Sequence, residues 1–154
     1  MLTRWADRPW NLVESIKAQS GSRPPDEVLE PWTWGLIHWM DAQDHDRVVA
    51  EAEAYMQQAT RQIAEYFSAV DVFLSPVLAE PPVATGDLAP DRAYQELYDR
   101  VINLVAYTPI ANATGVPAMS VPLHWTPDGL PVGSQFMSAR GEERMLFSLA
   151  KQLE

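Results

Sequence analysis

Residues 118–138, AMSVPLHWTPDGLPVGSQFMS, hold two apolar runs with a turn between them. Ala118–Leu123 is a strand candidate, and Pro122, with no N–H to give to a ladder, implies that one of its edges is unpaired there. Thr126-Pro127-Asp128-Gly129 is a turn, in which proline presets one dihedral and glycine takes whatever positive φ is needed. Val132–Ser138 supplies the returning strand and completes a hairpin, with Gly133 leaving room for another backbone. Just ahead, Gly115 can end a helix in the left-handed conformation, and Pro117 fixes the entry to the strand.

The pattern extends outward from this hairpin. Glu142–Leu153 is an amphipathic helix with Met145, Leu146, Leu149 and Leu153 inward. Upstream, Asp71-Val72-Phe73-Leu74 is too short for a helix and rich in β-formers; it reads as a strand buried on both faces, ending at Ser75-Pro76. Prolines and Gly86 make 78–90 a long loop. Helical spacing returns at Tyr94, Leu97, Tyr98, Val101 and Leu104, and Pro109 ends or interrupts that segment. The longest helix spans about residues 43–68. Asp41 or Asp44 caps it, and Val48, Ala52, Tyr55, Met56, Ala59, Ile63, Tyr66 and Phe67 form its buried stripe. Pro31 opens a shorter helix through Trp34, Ile37 and Met40, after a loop at 20–25. This order implies an α/β fold, a partial mixed sheet packed with helices. Residues 1–40 are a helical lead-in, and 41–154 carry the sheet and its helices.

The chain has 154 residues and 47% hydrophobic content, enough for one compact domain. Its 21 acidic against 11 basic residues give a net charge of -10, a field that repels phosphate backbones and speaks against nucleic acid as a partner. The lack of cysteine excludes disulfides, thiolate metal sites and cysteine nucleophiles. No apolar run approaches a membrane span, and the N-terminus has no signal-peptide core, so no membrane role and a cytoplasmic location are expected.

Residue chemistry alone shows no reaction centre. His38 and His45, with Asp41, Asp44 and Asp46 nearby, make a metal cluster conceivable. The spacing straddles a helix start, however, where carboxylates gather for dipole reasons alone, so no metal site is assigned. His124 beside Trp125 reads as a packed or surface residue. Ser148-Leu149-Ala150-Lys151 fits the S-x-x-K pattern of serine acyl-transfer enzymes, but the S-D-N and K-T-G elements that accompany it do not occur. Asn112-Ala113-Thr114 is a glycosylation sequon without meaning unless the chain is secreted. Trp32, Trp34 and Trp39 fill a core or interface in preference to lining an apolar pocket.

The stretch Tyr107-Thr108-Pro109-Ile110-Ala111-Asn112-Ala113-Thr114-Gly115-Val116-Pro117-Ala118-Met119-Ser120-Val121-Pro122, followed by Leu123-His124-Trp125, Asp128-Gly129-Leu130-Pro131-Val132-Gly133 and Gln135-Phe136, resembles the C-terminal end of amidase signature enzymes. Asp71–Pro76 matches the short strand before it, and Glu142–Leu153 the closing helix. The resemblance makes 1–154 a C-terminal portion of an amidase domain and implies amide-bond hydrolysis by a Ser, a second Ser with a cis peptide and a Lys, with no cofactor. Those residues lie in a Gly/Ser-rich N-terminal half, and this sequence has nothing similar: Lys17 and Lys151 sit near its ends in helix-like contexts. No catalytic residue is therefore assigned, and the chain alone is expected to be inactive.

The resemblance leaves this portion the wall of the substrate pocket, with Tyr107 and Asn112 as candidates alongside the proline-rich loop 76–90. Amidotransferase relatives that bind glutamine are expected to carry an acidic residue just ahead of the Tyr107 position. Leu104-Val105-Ala106 stands there instead, which favours a small neutral amide as substrate of the full-length enzyme. The apolar strand at 72–74 needs cover that should lie in the N-terminal half, so self-association or pairing with such a half is expected. The competing class is a non-catalytic binding or interaction module, for which the Trp-rich segment 32–39 and the missing catalysts speak.

Overall fold

A computed structural model describes residues 2–153. The chain divides into two compact units, one holding the described residues through Tyr55 with Thr85–Val101, the other Met56–Ala84 with the described residues from Ile102 onward. Among the described residues no helix is long and apolar enough to cross a membrane.

The first unit is helical. It comprises α1 (Leu2–Ser20), α2 (Pro31–Asp41) and the first turns of α3 (His45–Tyr66) and α4 (Tyr94–Leu104). α1 continues through Pro9, although an interior proline costs a helix about 3 kcal/mol by removing a hydrogen bond and crowding the preceding turn. Burial offsets that cost. Ala6 and Val13, two turns apart on one face, are both buried; Ala6 joins Leu36, Met40 and Val48, and Val13 joins Trp34 and Ile37. Pro31 sits at the start of α2, where its missing N–H costs nothing.

The tryptophans of α2 serve this core: Trp34 is buried and its indole N–H donates to the Asp26 carbonyl at 2.9 Å, while Trp32 and Trp39 pack at the margin. Of the two candidate caps, Asp44 serves α3, accepting the Arg47 N–H at 3.2 Å. Asp41 is engaged elsewhere. Its two oxygens take Nη1 and Nη2 of Arg23 at 2.6 Å each, and one also accepts Trp10 Nε1–H at 3.0 Å. Arg23 reaches Glu14 as well, so one guanidinium ties the loop after α1 to both helices. Its hydrogen bonds hold Asp41 below the usual carboxylate range against an opposing effect of burial.

The second unit is built on β1 (Val72–Pro76), β2 (Ala118–Trp125) and β3 (Pro131–Ser138), in the order β1-β3-β2. The hairpin forms where the sequence places it: Met119 faces Phe136, Ser120 faces Gln135, and a bulge between Pro122 and His124 leaves Leu123 outside the register. Gly129, at φ +81°, makes the turn, which Thr126 closes by donating its N–H to the Leu130 carbonyl at 2.8 Å. β2 is an outer strand, as Pro122 requires. β1 pairs along the other edge of β3, Phe73 opposite Met137. Where the sequence suggests a mixed sheet, these three strands pair only antiparallel. Phe67, Val116 and Met137 form the core on one face, with Ile63, Phe73, Ala111 and Ala139 against it. α6 (Glu143–Leu153) packs on β2 and β3.

Four expectations are corrected. β1 is not covered on both faces: Phe73 points to the core, but Leu74, on the opposite face by strand alternation, is 61% exposed. The stripe of α3 is only partly covered, since Tyr55 is 72% and Tyr66 43% exposed. Leu153 of α6 is exposed rather than inward, one turn past the half-buried Leu149, where the helix outruns the sheet. Pro109 does not end α4, which stops at Leu104; it opens another helix, α5 (Pro109–Thr114), because proline suits the first helical position.

Gly35 of α2 lies so close to Tyr94 that an added Cβ would stand 2.1 Å from ring carbons and 2.6 Å from the Tyr94 Cβ. Helix propensity alone would make Gly35→Ala stabilising by about 1 kcal/mol. The clash, with the rigid base of a side chain, is expected to reverse that sign and cost a net 1–3 kcal/mol or so. Chemical denaturation followed by tryptophan emission checks it; a more stable variant would contradict the packing.

Candidate functional site

Tyr107 lies just before the short helix α5 in the second unit, and Asn112 lies within it. The helix is pinned on one side. Ala111 packs on the Phe67–Val116–Met137 core, and the buried Thr114 donates its hydroxyl to the Ile110 carbonyl at 2.7 Å. Its end is sharply defined: Gly115 takes the left-handed conformation, φ +70°, and donates its N–H to the Ala111 carbonyl at 2.8 Å. Arg140, beyond β3, reaches back to donate from Nη2 to the Thr114 carbonyl at 2.7 Å. A side chain on residue 115 would collide with that guanidinium, since an added Cβ would lie 2.8 Å from Nη2. Asn112 thus sits exposed on a fixed turn, and Tyr107, just before it, is half-buried. Neither side chain is hydrogen bonded to another described residue. Both remain available as polar groups on a held backbone.

Their surroundings are apolar and braced. Leu104, at the end of α4, is buried, so Val105 and Ala106 are what this stretch leaves at or near the surface. The Leu104 carbonyl accepts the Ala79 N–H at 3.0 Å, which fixes the start of the proline-rich loop, and Val77 donates to the Gly133 carbonyl at 3.2 Å. Gly133 has no room for a side chain, because Val77 Cγ2 and Ser120 Oγ would lie within 3 Å of its Cβ. The backbone approach anticipated at this glycine is thus filled by side chains.

Three features were not signalled by local sequence. Arg140 is one, because its partner lies 26 residues away. The others are Ser75 and Gln135, neighbours across β1 and β3 and both buried, with Gln135 Nε2 3.5 Å from Ser75 Oγ. Alternation along each strand was the available hint, since it puts both on the face that carries Phe73 and Met137. The pair is internally satisfied: among the described residues no buried side-chain nitrogen or oxygen lacks a partner. Ser148 is likewise occupied, donating to the Arg144 carbonyl of its own helix at 2.8 Å, and Lys151 is exposed. Lys17 pairs with Glu14 at 3.4 Å in the other unit. Among the described residues no group of three or more His, Cys, Asp or Glu side chains is arranged to hold a metal ion. His124 is exposed, and His38 stacks on Trp34 with ring centroids 5.7 Å apart.

Comparison with known proteins bears on the family and the fold. The family model described as Amidase matches residues 7–147. The AmiC protein of Mycobacterium leprae (strain TN), named as an amidase, is 40% identical over 150 residues, which is 94% of this chain and 31% of that protein. AmiC of Mycobacterium tuberculosis (strain ATCC 25618 / H37Rv) is 34% identical over the same coverage. The chain therefore spans about a third of the length of the curated relatives it matches. Among solved structures, that of 6-aminohexanoate cyclic dimer hydrolase complexed with substrate superposes with a TM-score of 0.72 at 24% identity, over 95% of this chain and 32% of that one. At that identity the likeness establishes the fold.

Arg140→Met would leave the Thr114 carbonyl at the end of α5 without its charged donor. The expected loss is about 1.5 kcal/mol, at the low end for a bond to a charged group because Arg140 is exposed. Amide exchange should quicken over residues 111–116 first, and exchange unchanged there would show that Gly115 alone holds the helix end.

Proposed function

Since this chain belongs to the amidase family, we propose that it is the C-terminal part of an amide-bond hydrolase and shapes the substrate pocket without carrying the nucleophile. The observation that supports this best is the family match over 7–147 in a chain that spans only 31% of its relatives' length. The whole of 1–154 serves as one portion of an amidase domain, with 1–40 as its helical lead-in. Tyr107 and Asn112 face the substrate, Tyr107 with an aromatic surface and a hydroxyl, Asn112 with an amide able both to donate to and accept from a substrate amide. Val105 and Ala106 offer no charge to an amine, which favours a small neutral amide. The protein works in the cytoplasm.

The reaction needs a partner segment. Nucleophilic amide hydrolysis requires a hydroxyl, a base that takes its proton and donors for the developing oxyanion. Ser75, Ser138 and Ser148 spend their hydroxyls on backbone carbonyls, and neither lysine is placed as a base. The portion that supplies these groups also supplies cover for Leu74 and for Phe147, which is 73% exposed. Pairing with an N-terminal amidase half provides that cover, and self-association takes its place when the half is missing.

The purified chain is expected to leave neutral aryl and aliphatic amides intact, because losing a nucleophile and its base together costs on the order of 10⁶ in rate. Co-expression with the complementary part of a full-length relative should restore turnover. In that complex Tyr107→Phe and Asn112→Ala should raise KM several-fold with a smaller effect on kcat. Turnover by the chain alone that survives replacement of both Lys17 and Lys151 would overturn the reading. So would a monodisperse monomer that gains nothing from its complement.

A further inference from the structure

His45, the first residue of α3, stands between two carboxylates. Its Nε2 lies 3.0 Å from Asp7 Oδ1 on α1, and its Nδ1 lies 3.0 Å from Asp46 Oδ1 on α3. One face of the ring is stacked on Trp10 of α1, centroids 4.2 Å apart and planes 18° from parallel. All of these residues belong to the first unit.

The geometry selects a protonation state. A neutral imidazole has one N–H and one lone pair, so it can donate to only one of two carboxylates and must turn the lone pair on the other at hydrogen-bond distance. An imidazolium donates to both and gains from the electron-rich face of the indole as well. The groups around it agree. From α1, Asp7 is itself fixed by Asn11, whose Nδ2–H donates to Asp7 Oδ1 at 2.8 Å. From α3 comes Asp46. From α2 comes Asp41, beyond Trp10, which it holds through the indole N–H and whose charge Arg23 balances. The first turn of a helix is by itself a poor place for a cation, so the two carboxylates and the ring face are what keep one there.

We propose that His45 is a proton-operated latch of the helical unit. Protonated, it ties the first turn of α3 to α1 by donating to Asp7, while its neighbour Asp46 takes the other N–H and Trp10 backs the ring; deprotonated, it can donate to only one of the two carboxylates. The hydrogen bond to Asp46 is the main cause of a raised pKa, followed by that to Asp7, while burial opposes them. The sign follows. A folded pKa above the unfolded value of about 6.5 gives a contribution that is complete below that pH and is lost as pH rises through the folded pKa. Mildly acidic conditions below about pH 6.5 close the latch, and a rise of pH through the folded pKa opens it. This reading does not depend on the amidase assignment, since none of His45, Asp7, Asp46 and Trp10 is a pocket candidate.

The test is a titration of the full chain by NMR, following the histidine Cε1–H resonances. His38→Gln and His124→Gln, both at exposed positions outside the cluster, assign the His45 signal by elimination without touching it. His45 is expected to titrate above about 6.5, and Asp7→Asn and Asp46→Asn should each move its midpoint down. The emission that Trp10→Phe removes should be quenched with the same midpoint, because the charged ring quenches the indole it stacks on. A His45 midpoint at or below 6.5, or an emission change that does not follow it, overturns the proposal. The His45 midpoint can be read on the wild-type and exposed-site variants even if an Asp or Trp10 variant fails to fold.

Discussion

The second unit depends on one constraint, the central place of β3. A middle strand satisfies its backbone groups on both sides, and β3 does so with β1 along one edge and β2 along the other. Its second half, Gln135–Ser138, is buried throughout, with side chains alternating between the core of Phe67, Val116 and Met137 and the side that packs on α6. A register slip of one residue would turn Met137 and Gln135 to the α6 side and put Phe136 and Ser138 into the core. Features elsewhere in the unit hold against this strand. Ser138 anchors the start of β1 by donating to the Asp71 carbonyl at 3.0 Å, and Gly133 leaves space for Val77 and Ser120. The start of the proline-rich loop, through Val77, and α5, through Ala111, take their positions from that scaffold.

The parts of this fold that were legible in the sequence are those governed by local chemistry. The Thr126–Gly129 turn, the αL glycine at 115 and the proline-led start of α2 depend on backbone preferences that a residue carries with it. Long-range terms account for what was missed. The run of α1 through Pro9 rests on the burial of Ala6 and Val13 against α2, a gain no local rule contains. Arg23 with Asp41, His45 with Asp7 and Arg140 with the Thr114 carbonyl join residues 18, 38 and 26 apart. Tyr107 and Asn112 came from resemblance, because nothing in their spacing marks chemistry. What the structure adds is that α5, which follows Tyr107 and carries Asn112, is braced at its far end.

Exposure in this chain has a pattern that amphipathicity alone does not explain. α3 has the periodicity of a helix with one buried face, yet Tyr55 and Tyr66 on that face stay open. β1 has the composition of a strand covered on both sides, yet Leu74 is open and its outer edge pairs with no described strand. Exposed apolar edges are costly to keep, and the N-terminal half proposed as partner would cover them. Relatives three times as long, aligned over nearly all of this chain, are consistent with such a half.

A pocket wall contributes to an enzyme in a way that differs from a nucleophile. Contacts made equally to substrate and transition state lower KM and set which substrate enters, whereas the rate of the chemical step is set by groups that bind the transition state better. For a wall to discriminate, its polar groups must already be held where the ligand needs them, because ordering them on binding would consume part of the interaction. α5 meets that requirement cheaply. Six residues are fixed by a proline at one end, a left-handed glycine at the other, Ala111 in the core and an arginine on the last carbonyl. Asn112 then presents its amide from a backbone with little freedom left to lose. In the proposed enzyme, selectivity resides in this held turn and reactivity in the segment that completes it, so substitutions in this chain should alter which amide is accepted far more than how fast the bond is broken.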